Sequence, residues 1–183
     1  AGHALMFESC MAALQTVDIC LIAYGSLPNQ SECEQSVEMA EREFANNGSS
    51  TIALLTLLAN QMAAQHRGTL AVISSVAGDR GRPSNYLYGA AKAAVTAFCE
   101  GLRARLFKSG VHVITIKPGF VDTPMTRGLA LPALLVAQPD SVARRIVSGI
   151  ERKTGVLYVP GFWAWIMWLI RAIPQPIFKR LNL

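Results

Sequence analysis

Charge is scarce in this chain. Asp, Glu, Lys and Arg make up 16% of its 183 residues, against 51% hydrophobic ones. That balance excludes a disordered chain, which is too polar to bury a core. A chain of this length supports one domain with a single substantial core and is short for two. The formal charge is +5, yet Lys and Arg never run together with interleaved aromatics, so nucleic acid is not an expected partner. Cysteine is sparse as well. Cys10, Cys20, Cys33 and Cys99 show no CxxC spacing, so no metal site is expected and a reducing, cytoplasmic setting fits. The first residue is Ala1, and no basic stretch leading into an apolar one follows it. No signal peptide is expected, and the start reads as truncated.

What is present is an alternation of apolar runs. Residues 17–23 (VDICLIA) end in Tyr24-Gly25, the pattern of a buried parallel strand and a tight turn. Residues 4–14 before them suit a helix. Residues 33–46 read as a second helix and 50–65 as a third, with Ile52, Leu55, Leu58, Ala59 and Met62 at helical spacing. Residues 69–73 (TLAVI) form the next predicted strand, followed by a loop through Gly78, Gly81 and Pro83. A long helix over 88–109 then leads by Gly110 into a strand over 111–116 (VHVITI), which Pro118-Gly119 ends. Strand and helix in turn predict an α/β fold with a doubly wound parallel sheet, right-handed crossovers and a ligand crevice at the carboxyl ends of the strands.

Tyr88 and Lys92 stand four residues apart on the long helix, which places both side chains on one face. A phenol with an ordinary pKa near ~10 is a poor proton carrier at neutral pH, and an adjacent ammonium favours the phenolate. The spacing alone also suits ordinary surface neighbours. Ser75 adds weight: it lies at a strand end thirteen positions before Tyr88, where its hydroxyl can reach the same substrate oxygen or simply cap the turn. Asn47, between Asn46 and Gly48, is either a turn residue or part of the same set.

Three segments in this order resemble the short-chain dehydrogenase/reductase family. Residues 68–75 (GTLAVISS) look like its serine-bearing strand, residues 88–94 (YGAAKAA) like its catalytic helix, and residues 117–123 (KPGFVDT) like its P-G-x-V-x-T turn. The resemblance runs from about residue 17 to residue 160. It implies a Rossmann-type sheet and an oxidoreductase using NADP or NAD, with Ser75, Tyr88, Lys92 and Asn47 as the catalytic set. Asn47 would support a water that relays protons to Lys92. Gly25, Tyr88, Lys92, Pro118, Gly119, Val121 and Thr123 would hold the cofactor. The family's glycine-rich T-G-x-x-x-G-x-G turn, which receives the pyrophosphate, has no match here, and of its N-N-A-G segment only Gly25 remains. By this reading the amino-terminal βαβ portion is missing, and with it the residue that selects NAD or NADP.

Residues 1–160 then form the catalytic domain, and 161–183 an aromatic, basic segment. Phe162, Trp163, Trp165 and Trp168 crowd together, and Arg171, Lys179 and Arg180 follow. The apolar run is too short for the ~20 residues of a membrane span. Peripheral contact with the cytoplasmic face of a membrane is one expectation, and a substrate lid or subunit contact in a homo-oligomer is the other. With residues 79–83 (DRGRP), this tail resembles reductases acting on polyprenyl-phosphate ketopentose. The substrate implied is lipid-linked; a soluble enzyme for a steroid-like or fatty acyl alcohol is the alternative, and a non-catalytic binding member is another.

Overall fold

Successive side chains of a strand point to opposite faces of a sheet, and the buried residues here obey that period. Leu70 and Val72 of one strand and Val111 and Val113 of the next join one apolar cluster, while Ala71, Ile114 and Ile116 join another. Such two-sided burial requires helices on both faces.

The computed structural model describes residues 2–181. In chain order these form α1 (Gly2–Leu14), β1 (Ile19–Ile22), α2 (Gln30–Gln35), α3 (Val37–Phe44), a π-helical turn (Ala45–Ser49), α4 (Ser50–Gln65), β2 (Gly68–Ile73), a 3-10 turn (Val76–Asp79), α5 (Tyr86–Leu106) and β3 (Val111–Pro118). There follow β4 (Phe120–Val121), β5 (Val136–Ala137), α6 (Pro139–Glu151), β6 (Val156–Val159), α7 (Trp163–Ala172) and α8 (Gln175–Phe178). The main sheet is parallel in the order β1-β2-β3-β6, and β4 pairs with β5. Helices α4 and α5 cover one face through Leu54, Leu55, Leu58, Val95, Cys99 and Leu102, and α6 covers the other through Val142 and Ile146. Each such fully buried aliphatic side chain contributes about 1.5–3 kcal/mol.

The expected parallel α/β sheet is therefore present. Several boundaries differ. The helix expected over 33–46 is broken at Ser36, whose extended backbone and side chain cap α3 by accepting from Met39 N at 3.1 Å; a serine N-cap outcompetes helix continuation there. Asn47 lies in a π-helical turn that joins α3 to α4. Helix α5 begins at Tyr86, so Tyr88 sits in its first turn. Among the described strands β1 has β2 as its one partner, and Ile19 and Leu21 are 58% and 46% exposed.

Candidate active site

Ser75 follows β2 and caps the 3-10 turn, its Oγ accepting from Ala77 N at 3.1 Å. The turn lies against α5 because two glycines permit it. A methyl on Gly89 would stand 2.8 Å from Ala77 O, and one on Gly78 would stand 2.8 Å from Ala93 N. This close approach sets Ser75 and Tyr88 on the wall of one cavity, near enough for the Ser75 hydroxyl to act on the phenol. Ser75 thus both caps its turn and meets the phenol. Its neighbour Ser74 is a tie, buried and donating to Lys92 O at 3.0 Å.

Burial pushes the Tyr88 phenol up from its ordinary value, and the Ser75 hydroxyl draws it partly back. The expectation that Lys92 brings the phenol down is not met in this state. Lys92 Nζ donates to Ile73 O at 3.1 Å and lies 5.7 Å from the Tyr88 ring centroid. Lys92 is itself 3% exposed, and burial lowers its pKa to about 8.

Asn47 is held by the loop after β1 and by α3. It is 1% exposed; its Oδ1 accepts from Ser26 N at 3.0 Å, and its Nδ2 donates to Glu43 O and Ser26 Oγ, each at 3.1 Å. These bonds pin the loop after β1 to the π-helical turn. Gly25 is needed there because a methyl on it would lie 2.9 Å from Asn47 Oδ1 and 3.6 Å from Lys92 Nζ. Gly25 therefore lies between Asn47 and Lys92, and none of the three lines the cavity that Tyr88 helps to form.

That cavity, of about 460 Å³, is lined by Ser75, Tyr88, Pro118, Gly119, Val121 and Thr123 together with Ile73 and residues of α6. Thr126, which the motifs did not single out, organises its rim: its hydroxyl donates to Val121 O at 2.6 Å and accepts from Thr123 N at 3.2 Å. A mostly apolar hollow with hydroxyls at one end suits the nicotinamide and ribose half of a dinucleotide, whose flat ring needs apolar walls and whose polar substituents need donors. Trp163 seals the far side of the Pro118-Gly119 turn. A methyl on Gly119 would fall 1.9 Å from Trp163 Nε1, and that buried N–H has no partner among the described residues.

Sequence patterns missed one more element. Asp79 Oδ1 accepts from Lys117 Nζ at 2.6 Å and its Oδ2 accepts from Tyr158 OH at 2.7 Å. Partners this far apart in the chain leave no periodic signal.

A family profile described as short chain dehydrogenase matches residues 2–132. An uncharacterized oxidoreductase of Streptomyces coelicolor is 35% identical over 90% of this chain and 65% of its own length. One from Mycobacterium tuberculosis is 32% identical over 99% of this chain and 72% of its own. The chain thus spans about two thirds of these relatives. A short chain dehydrogenase from Burkholderia cenocepacia J2315, solved in complex with NADP, shares the fold with a TM-score of 0.82 at 21% identity, covering 97% of this chain and 73% of its own. With the parallel sheet already in place, these matches establish that this chain belongs to the short chain dehydrogenase family.

Proposed function

We propose that the protein interconverts a ketone and a secondary alcohol with NADPH or NADH, using Tyr88 as proton donor and acceptor. The observation that carries this reading is the Ser75–Tyr88 hydroxyl pair on the wall of the cavity that Pro118, Gly119, Val121 and Thr123 complete. When bound, the nicotinamide supplies or takes up the hydride. Pro118, Gly119, Val121 and Thr123 would hold its ring, and Tyr88 and Lys92 its ribose.

The chain's own residues handle the proton. In reduction Tyr88 O–H gives its proton to the substrate oxygen as negative charge develops there, and Ser75 donates a hydrogen bond to the same oxygen. Once the proton has gone, the Lys92 ammonium, 5.7 Å from the Tyr88 ring centroid, is the nearby positive charge that favours the tyrosinate left behind. Asn47 keeps the space around Lys92 fixed and supports a water relay to it.

Because Lys92 loses its proton near pH 8 in the free protein, kcat/KM for ketone reduction by the full-length protein should fall as pH rises through about 8, since that ratio reports free-enzyme groups. Lys92→Met should lower turnover and remove this limb. A profile that keeps the same basic limb in Lys92→Met would exclude Lys92 as its source. Stability carries the opposite sign. The unfolded chain holds the Lys92 proton up to its ordinary pKa, so this group's contribution to folding rises between about pH 8 and 10.5.

The substrate we propose is lipid-like, of the polyprenyl-phosphate sugar class, presented at a membrane surface. Support comes from the outer face of α7: Trp165, Trp168 and Leu169 are 73%, 63% and 58% exposed, and Arg171, Lys179 and Arg180 are exposed beside them. Trp and cations in this arrangement suit the headgroup level of anionic lipid. Trp163 does not belong to this face, contrary to its grouping with the other aromatics in the sequence; it is 4% exposed and packs on Val76, Met167 and Phe120. Among the described residues no helix is long and apolar enough to cross a membrane.

Trp165→Ser/Trp168→Ser should therefore abolish flotation of the full-length protein with anionic vesicles while leaving its fold intact. If the wild type stays unbound at low salt and the double variant instead changes oligomeric state, the face is a subunit contact and the membrane reading falls.

A further inference from the structure

Asp79 ends the 3-10 turn that Ser75 begins, and its carboxylate reaches both neighbouring strand ends. Lys117, donating to Oδ1 at 2.6 Å, immediately precedes Pro118-Gly119. Tyr158, donating to Oδ2 at 2.7 Å, is the residue paired with Lys117 across β3 and β6. The ion pair is nearly dry, with side-chain exposures of 7% for Lys117 and 3% for Asp79. Burial and the adjacent carboxylate both hold the Tyr158 phenol protonated, so it stays a donor.

A buried ion pair is poor at adding stability, because desolvation of two charges consumes most of their attraction, and apolar replacements of similar volume often fold as well or better. What short, charge-assisted bonds do supply is fixed geometry. Here they span from the turn bearing Ser75 to the turn bearing Pro118 and Gly119, the two walls of the cavity. The next residue extends the frame: the Arg80 guanidinium donates to Ile170 O, to Ile173 O at 2.7 Å and to Arg171 O at 3.2 Å, and it lies 3.7 Å over the Phe178 ring. The aromatic tail is thereby anchored to the same loop.

We infer that Asp79 is a positioning residue, which sets the separation between Ser75 and the Pro118-Gly119 turn and so aligns the proton donors with the nicotinamide. This inference rests on the proposed oxidoreductase reading.

The test compares the full-length wild type with Asp79→Leu/Lys117→Met, in which both charges leave together so that no buried charge is orphaned, and with Asp79→Asn. Three quantities are measured: thermal midpoint, fluorescence emission and affinity of bound NADPH and NADH, and steady-state reduction of the broad carbonyl probe 9,10-phenanthrenequinone. The expected result is a double variant that melts within a few degrees of wild type and binds the wild type's preferred dinucleotide within a few-fold. Its bound-cofactor emission should shift toward that of free cofactor, and kcat should drop at least tenfold with little change in KM. Asp79→Asn, which keeps an acceptor for Lys117, should recover part of both signals. A folded double variant with wild-type emission overturns the role of Asp79 alone, whether or not the probe is turned over. A wild type that binds neither NADPH nor NADH overturns the oxidoreductase reading, and this inference with it.

Discussion

Tyr88→Phe should lower turnover of the full-length protein by roughly 10²- to 10⁴-fold, the range assigned to a positioned general acid or base. Phenylalanine keeps the ring that lines the cavity and its packing at the start of α5, so the fold should be little affected. Affinity for NADPH or NADH should stay within several-fold, because in the proposed binding mode Tyr88 would contribute one bond to the ribose while the Pro118-Gly119 turn and the apolar walls remain. The decisive comparison is single-turnover hydride transfer, which isolates chemistry from release. Turnover within a few-fold of wild type, with Ser75→Ala and Lys92→Ala also near wild type, would show that the proton comes from elsewhere.

Gly78→Ala should damage both stability and activity although it touches no substrate. The new methyl would lie 2.8 Å from Ala93 N, 2.8 Å from Lys92 C and 3.1 Å from Lys92 O. All three are backbone atoms of α5, and none can yield without moving the helix. Overpacking of this kind costs about 1–3 kcal/mol, which in a chain of this size lowers the melting midpoint by several degrees. The relaxation available is to lift the 3-10 turn off α5, and that separates Ser75 from Tyr88. Activity should therefore fall further than the folded fraction does. Gly101→Ala in the same helix is the control, since nothing lies within 4 Å of the added methyl, and alanine there gains up to about 1 kcal/mol of helix propensity. Equal stability and activity in the two variants would refute the close packing of turn on helix.

The contrast between these two positions shows where pattern reading stops. Tyr88 and Lys92 are legible because an i, i+4 pair on a helix is a local fact. The clash at Gly78 is invisible in sequence, because its neighbours are Lys92 and Ala93, in the adjoining helix. Asn47 illustrates an intermediate case. The family resemblance implies it for the catalytic set, but its π-helical setting and its bonds to Ser26 and Glu43 follow from how α3 meets α4 and the loop after β1.

By itself the sequence determined the parallel α/β alternation, the serine at the end of β2 and the Tyr88–Lys92 pair, because side-chain period within a strand or helix depends on residues a few positions apart. Tertiary structure alone decided that Trp163 is core while Trp165 and Trp168 face outward, that burial raises the Tyr88 phenol, and that Asp79 joins Lys117 and Tyr158. These outcomes depend on which faces meet far apart in the chain, across 38 and 79 residues in the case of Asp79. Burial and buried charge are properties of that assembled surface, and no short-range spacing encodes them.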